Sequence, residues 1–257
     1  MTYDTWEAGD AYDAYVGRWS RRVAAAFLSR LARPAGGRWL DVGCGTGALS
    51  AAIPAPALLT GVDRSPGFVR AARAAVPHAS FTVADARDLP FPAGCFDTAV
   101  SGLALNFVPG PAARPVGELA RVTAPGGTVA AYVWDYAGGM EMMRRFWRAA
   151  IEVDPAAADL DEGPRFPLCH PDALRAAWDS AGLRAVSVAP IEIETTFTGF
   201  ADYWTPFLGG QGAAPGYLTS LPPEQRSAIR DRVRAGLPDG PFALPARAWS
   251  VAGTVSP

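Results

Sequence analysis

A glycine-rich turn between an apolar run and a helical stretch constrains this chain more than any other feature. The run RWLDV (38–42) is typical of a short buried strand, and Gly43, Gly45 and Gly47 follow it directly. Glycines at this spacing permit positive φ angles and close ligand approach, because no Cβ blocks the backbone. The segment fits the pattern G-x-G-x-x-[GA], so it predicts a nucleoside-binding turn without identifying the ligand.

Apolar runs and helical stretches alternate around this turn. Further strands are predicted at 57–63, 79–85, 95–102 and 128–134, and helices at 11–32, 48–53, 66–76 and 112–122. A turn at 124–127 closes the last of these helices. The alternation predicts an α/β fold with a mainly parallel sheet that helices cover on both faces.

The alternation of predicted strands and helices becomes less regular after Asp135. Helices are predicted at 139–151, 171–181 and 223–235, a loop at 152–169, a long strand at 183–197 and a last strand at 245–255. The remainder of 199–240 is rich in Gly and Pro, so we expect it to be irregular.

Three aspartates stand beside the strand ends of this pattern. Asp41 precedes the glycines, Asp63 ends the second predicted strand, and Asp85 ends the third. Because the carboxyl ends of adjacent parallel strands converge on one crevice, the three carboxylates should line one site. Asp63 is suited to accept both ribose hydroxyls, and Asp85 to accept from an adenine amino group. An NAD-dependent oxidoreductase uses the first two features but does not need Asp85.

Composition excludes several functional classes. The formal net charge is −2, so nothing in the composition indicates a nucleic-acid or membrane surface. All 23 basic residues are Arg, so the chain has no Lys that could form a Schiff base. Three separated cysteines indicate neither a disulfide framework nor a metal site. The N-terminal sequence lacks the apolar stretch of a signal peptide, so a cytoplasmic location is expected. The sequence leaves the oligomeric state open.

Together these motifs resemble the class I S-adenosylmethionine-dependent methyltransferases, particularly the small-molecule branch similar to the ubiquinone and menaquinone enzymes. The resemblance rests on WLDVGCGTG, GVDRS, VADARDLPF, FDTAVSGLALNFV and ELARVTAPGGTVAAYVW, which follow the family's order within 38–134. It implies a Rossmann-like seven-stranded sheet of order 3-2-1-4-5-7-6 with an antiparallel seventh strand. It also implies S-adenosylmethionine as cofactor and S-adenosylhomocysteine as product.

The resemblance implies a set of cofactor-binding residues, namely Asp41, Gly43, Cys44, Gly45, Asp63, Arg64, Phe68, Asp85, Ala86, Ser101, Gly102 and Arg18. In it, Asp41 orders the cofactor's ammonium end, Asp63 binds the ribose and Asp85 meets the adenine. Arg18, in the N-terminal helix, caps the cofactor carboxylate or the substrate. Nothing beside Cys44 marks it as a nucleophile.

Aromatic residues concentrate after the fifth predicted strand and indicate an acceptor pocket. Its expected lining is Tyr12, Trp134, Tyr203, Trp204 and Phe207. We expect a single domain over 1–257, with a helical cap at 1–35 and a cofactor-binding core at 36–135. Substrate-pocket segments at 136–182 and 198–242 would form, with the N-terminal helix, a lid that excludes water.

The candidate catalytic residues are Asn106, Tyr15 and His170, although a turn role for Asn106 and a plain loop role for His170 remain open. Methyl transfer depends mainly on alignment and desolvation, and no His–Asp pair indicates a general base. The aromatic residues of the expected pocket indicate that the acceptor is a small apolar or aromatic molecule. The alternative is a non-methylating enzyme of this fold, of cyclase or decarboxylase type, that uses the cofactor structurally.

Overall fold

Seven strands form one sheet. They are β1 (Arg38–Val42), β2 (Leu58–Asp63), β3 (Ser80–Val83), β4 (Phe96–Gly102), β5 (Thr123–Trp134), β6 (Arg184–Phe197) and β7 (Phe242–Thr254). Their order is β3-β2-β1-β4-β5-β7-β6. The first five strands pair in parallel, and β7 runs antiparallel to β5. The expected sheet order, with its antiparallel strand, is confirmed.

Nine α-helices are present in the part of the chain that the computed structural model describes, residues 13–31, 36–54, 58–210 and 212–257. They are α1 (Arg18–Leu31), α2 (Pro66–Ala75), α3 (Ala113–Val122), α4 (Glu141–Val153), α5 (Glu162–Arg165), α6 (Pro171–Ser180), α7 (Phe200–Trp204), α8 (Ala213–Ser220) and α9 (Pro223–Ala235). Within those ranges, none of the helices combines the length and hydropathy needed to cross a bilayer.

Two expectations in the first half need correction. The helix expected over 48–53 is only a short 3-10 turn, Ser50–Ala52. The turn expected at 124–127 lies inside β5, which already begins at Thr123 and whose pairing with β4 shifts register between Phe96 and Thr98. An irregularity of this kind lets a Gly-rich segment stay in a strand, so its turn residues were misleading.

The Gly- and Pro-rich region 199–240 contains two helices that the sequence did not predict, α7 and α8. Helix α8 buries Ala213, Ala214, Pro215, Tyr217 and Leu218. Burial of this apolar set outweighs the weak helix propensity of its Gly and Pro residues. The loop expected over 152–169 likewise holds α5 and two 3-10 turns.

The chain divides into two compact units, each built from three segments. The sheet unit comprises Ser20–Trp134, Leu168–Ile191 and Ala248–Pro257, and the helical unit comprises Met1–Trp19, Asp135–Pro167 and Glu192–Arg247. In the sheet unit, the Trp178 indole N–H donates to the Val129 carbonyl of β5 at 3.0 Å. In the helical unit, the rings of Phe146 and Phe207 stack at 4.7 Å.

One buried ion pair ties two segments of the helical unit together. The Arg247 guanidinium donates to Asp135 Oδ2 from Nε at 2.7 Å and lies 2.6 Å from it through its terminal nitrogen. The Asp135 N–H also donates to the Arg247 carbonyl at 3.0 Å. Because Asp135 is buried, removing the guanidinium would leave its charge uncompensated.

We expect Arg247→Ala to lower the free energy of unfolding by about 2–3 kcal/mol, the cost of leaving a buried carboxylate without its main donor. Arg38→Ala is the matched control, because Arg38 pairs with Asp97 at 2.7 Å in an exposed position. Exposed pairs contribute about 0–1 kcal/mol. Urea unfolding of both variants measures the difference, and equal losses would contradict a structural role for the buried pair.

Candidate functional site

The glycine turn after β1 is fixed by the end of β2. The N–H groups of Gly43 and Cys44 both donate to the Val62 carbonyl, at 2.8 and 2.9 Å. Gly43 has φ +73°, and a Cβ there would lie 2.3 Å from the Ala104 Cβ. Gly45 also has a positive φ, but a Cβ there would meet nothing within 4 Å. The turn is therefore closed on the Gly43 side and open at Gly45, where a ligand could approach the backbone.

Asp63 organises this turn from the end of β2. Its Oδ2 accepts from the Gly45 N–H at 3.0 Å, and its Oδ1 accepts from the Ser65 N–H at 2.8 Å. Burial raises the pKa of Asp63 above its ordinary value, although these N–H donors act in the opposite direction. Since two carboxylate oxygens offer about four acceptor sites, the carboxylate can still accept from ligand hydroxyls.

Asp41 is the most deeply buried acid of the site. The Ser50 hydroxyl donates to its Oδ2 at 2.6 Å, whereas its Oδ1 has no hydrogen-bond partner among the described residues. Burial raises the pKa of Asp41 to about 7, and the neighbouring charge of Asp63 adds to the rise. A buried carboxylate oxygen without a donor is costly, so this atom fits a ligand that brings a cation or a donor.

Asp85 stands in a different environment after β3. Arg87 holds its carboxylate with both Nε and a terminal nitrogen, the latter at 2.5 Å, and the Arg87 N–H donates to Asp85 Oδ1 at 2.8 Å. These hydrogen bonds lower the pKa of Asp85 to about 2. The side chain stays 44% exposed, so the ionised carboxylate remains accessible beside its Arg partner. Ala86, the other expected adenine contact, is half-buried.

Helix α3 holds the loop that follows β3 through three side chains, Arg114, Glu118 and Arg121, which we call the α3 clamp. Glu118 Oε2 accepts from the Leu89 N–H at 2.7 Å, and Arg121 donates to the Leu89 carbonyl at 2.9 Å. Arg114 donates to the Arg87 carbonyl at 3.2 Å. Glu118 and Arg121 also pair with each other, which lowers the pKa of Glu118. These three residues were not predicted from the sequence, although their spacing places them on one helix face.

The end of β4 completes the edge of the sheet. The Ser101 hydroxyl donates to the Val42 carbonyl of β1 at 2.7 Å, and a Cβ on Gly102 would lie 2.6 Å from the Tyr132 hydroxyl oxygen. Leu103 follows with φ +58°, a left-handed conformation that non-glycine residues rarely adopt. This strained residue leads directly to Ala104, which packs against Gly43.

Two expected acceptor-site residues of the sheet unit carry buried donors without partners. The Asn106 side-chain nitrogen and the Trp134 indole nitrogen are both buried, and neither finds a hydrogen-bond partner within the described ranges. Among the other expected residues of this unit, Cys44 is buried and its pKa is raised, mainly by burial, so it is a poor nucleophile at neutral pH. Arg64 and His170 are exposed, and Phe68 is half-buried.

The remaining expected residues belong to the helical unit. Arg18 donates to Asp202 Oδ1 at 2.7 Å, and its guanidinium lies 4.5 Å from the Trp19 ring and 4.9 Å from the Phe197 ring. Its cation is thus already paired, and its expected role towards the cofactor stays a prediction. Tyr12 lies outside the described residues.

The aromatic side chains of the helical unit pack closely. Tyr15 is buried with no partner for its hydroxyl among the described residues, and its ring lies 5.2 Å from that of Phe207. Burial raises the pKa of Tyr15, with a smaller contribution from Glu162. The Tyr203 hydroxyl donates to the Met142 carbonyl at 2.7 Å, and burial raises its pKa as well. Both phenols are therefore neutral at physiological pH.

The sheet order, with a glycine turn, the buried Asp41 and the half-buried Asp63 at one edge, defines the Rossmann-like methyltransferase fold class. Residues 40–131 match the family model of the methyltransferase domain. This part of the chain is therefore similar to the methyltransferase domain, in agreement with the resemblance that the motifs indicate. The matched range lies entirely within one segment of the sheet unit.

Individual relatives are similar over part of their length. A phosphatidylethanolamine N-methyltransferase of Cereibacter sphaeroides is 37% identical over 134 residues, covering 50% of this chain and 64% of the relative. A demethylmenaquinone methyltransferase of Beutenbergia cavernae is 36% identical over 103 residues, covering 40% and 42%. The solved Haemonchus contortus phosphoethanolamine N-methyltransferase 2 with S-adenosyl-L-methionine has TM-score 0.62 at 15% identity, covering 100% of this chain and 60% of that one. This last likeness shows the fold alone.

The burial of Asp41 predicts a pH dependence of stability. Its pKa is about 7 in the folded chain against an ordinary value of 3.8, so the folded state holds an extra proton between these pH values. The stabilisation is full below about pH 4 and is lost as the pH rises towards 7, by at most about 1.4 kcal/mol per pH unit.

Asp41→Asn should remove this dependence, so the variant should gain stability relative to the native chain as the pH rises from 5 to 8. Urea unfolding of the native chain and of the variant at the two pH values measures this gain in stability. Asp97→Asn, at the start of β4, is the control variant that should keep the native slope. Parallel profiles for the native chain and Asp41→Asn would contradict a raised pKa at Asp41.

Proposed function

We propose that this chain transfers a methyl group from S-adenosylmethionine to a small, apolar or aromatic molecule. The observation that carries the proposal is the unpartnered Asp41 Oδ1, buried next to a glycine turn that is open at Gly45. The match of 40–131 to the methyltransferase domain supports it. Because the matched relatives are covered only in part, activity and acceptor are inferred from the site.

The residues at the edge of the sheet fit this cofactor. Asp41 would receive the ammonium group, whose charge would favour the ionised carboxylate over the neutral form that burial favours. Asp63 would accept from the ribose hydroxyls with the lone pairs that the N–H groups of Gly45 and Ser65 leave free. Asp85 and the Ala86 N–H would meet the adenine. When bound, the cofactor supplies an electrophilic methyl group on sulfur.

The chain's own contribution to the reaction is alignment rather than proton transfer. The unpartnered donors of Asn106 and Trp134 would orient an acceptor through hydrogen bonds. His170 is exposed and has no hydrogen bond to an acid that would orient it as a base, as far as the structure describes the chain. A lid formed by 198–242 with the N-terminal helix, the cytoplasmic location and the absence of a nucleic-acid partner remain part of the proposal.

The proposal predicts formation of S-adenosylhomocysteine when the protein is incubated with S-adenosylmethionine and a panel of small apolar and aromatic metabolites. Mass spectrometry should detect equal amounts of methylated product and S-adenosylhomocysteine. Asp63→Asn should weaken cofactor binding by about 1–3 kcal/mol, while Asp97→Asn, at the other end of the sheet, should bind normally. An acceptor converted without S-adenosylhomocysteine would instead support the non-methylating alternative. Calorimetric binding of NAD as tight as that of S-adenosylmethionine would overturn the cofactor assignment.

The α3 clamp should affect recognition of the adenine through the loop that it holds. Glu118→Ala would leave the Leu89 N–H and the Arg121 guanidinium without their carboxylate partner. We expect about a tenfold weaker affinity for S-adenosylhomocysteine, in line with about 1–3 kcal/mol for a lost partner. The preference over the analogue S-inosylhomocysteine, which lacks the adenine amino group, should shrink as well.

Calorimetric titration of both ligands measures this effect, with Glu141→Ala in α4 as the control. Glu141 also pairs with an arginine of its own helix, Arg145 at 2.8 Å, but lies in the helical unit. An unchanged preference in Glu118→Ala would mean that the loop keeps its conformation without the clamp.

A further inference from the structure

A groove of about 250 Å³ lies within the helical unit, outside the proposed cofactor site. Its lining residues are Trp204, Leu208, Pro223, Arg226, Ser227 and Arg230. Trp204 ends helix α7, and Leu208 follows it. The other four residues lie in the N-terminal part of α9. The groove thus combines an apolar wall with a row of polar side chains from one helix face.

Arg226 is distinguished from the other arginines of α9 by its lack of an acidic partner. Arg230 pairs with Asp231 at 3.0 Å, Arg232 with Glu152 at 3.6 Å, and Arg234 with Asp239. Arg226 forms no ion pair among the described residues, and its Nε is buried without a hydrogen-bond partner. A guanidinium is always charged and presents its donors in a fork that matches a carboxylate or phosphate.

The apolar wall of the groove is both rigid and accessible. The Trp204 indole stacks on the Phe200 ring at 6.0 Å and lies 5.9 Å from the Phe207 ring, which fixes its orientation. Leu208 is 48% exposed, one of three large apolar side chains with such exposure in the described part of the chain. Exposed apolar area beside an unpaired cation fits a ligand that has an apolar body and one anionic group.

We propose that this groove binds a small organic oxyanion with an apolar body, either a carboxylate or a phosphate monoester. The Arg226 guanidinium accommodates the anionic group, with the nearby Ser227 hydroxyl as a second donor, and the body lies against Trp204 and Leu208. The volume of the groove limits the body to roughly the size of one aromatic ring. None of the lining residues belongs to the proposed cofactor site, although Trp204 was expected to line the acceptor pocket.

The test uses the full-length protein and three probes that share a ring, namely phenylacetate, phenyl phosphate and the neutral phenylacetamide. Ligand-observed NMR titration gives an affinity for each. At least one anionic probe should bind ten times or more tightly than the amide, and whichever binds tighter distinguishes a carboxylate from a phosphate ligand. Arg226→Gln should lower the affinity for the anion about tenfold or more, because hydrogen bonds between charged groups are stronger than those between neutral groups. The affinity for S-adenosylhomocysteine, measured in parallel, should not change.

Arg232→Ala is the matched control on the same helix, because Arg232 does not line the groove. It should leave the affinity for the anionic probes unchanged, and thermal unfolding should show that both variants stay folded. The proposal is overturned if neither anion binds, if the amide binds as tightly as the anions, or if Arg226→Gln and Arg232→Ala affect anion binding equally.

Discussion

Backbone carbonyl groups at the ends of β1 and β2 hold the candidate site in place. The Val62 carbonyl accepts two N–H groups of the glycine turn, and the Val42 carbonyl accepts the Ser101 hydroxyl. These carbonyls belong to strands whose relative positions are fixed by parallel pairing. The register of that pairing therefore also fixes the position of the turn. A shift of one residue between β1 and β2 would therefore move Asp41, Gly45 and the acids beside them together. The geometry of the site is a consequence of strand pairing more than of side-chain contacts.

Two aspartates at the edge of the sheet that carries the candidate site lie in opposite electrostatic environments. Asp41 is buried, one of its oxygens has no partner among the described residues, and its pKa rises to about 7. Asp85 is half-exposed and paired with Arg87, and its pKa falls to about 2. Desolvation dominates in the first case and hydrogen bonding in the second. One acid is therefore sensitive to the proton concentration near neutrality, while the other stays ionised. A cationic group suits the first, and a neutral amino donor suits the second without a change of charge.

Local sequence predicted the sheet well, because each of the strands β1 to β4 is a short apolar run with an acid or a glycine at its end or shortly after it. Asp41 and Asp63 could be placed for the same reason. The partner of Asp41 could not be predicted, since Ser50 lies nine positions away in the sequence and reaches it only through the folded backbone. Arg18 was expected to face the cofactor, but its ion pair with Asp202 joins residues 184 positions apart, which no local pattern reveals. Helix α8 was not predicted because burial of its apolar side chains stabilises the helix, whereas the helix propensity of its sequence is weak.

The division of the chain into units limits how its parts could be recombined. Each unit draws on three stretches of sequence, so the polypeptide passes from one to the other five times. The helical unit holds Tyr203, Trp204 and Phe207 of the expected acceptor pocket together with the groove, whereas the family match lies wholly in the sheet unit. A chimera that borrows the helical unit of another protein would need three replacements made together, with every junction kept in register. For such a chain, single substitutions and short loop grafts offer a more direct route to new specificity than the exchange of whole modules.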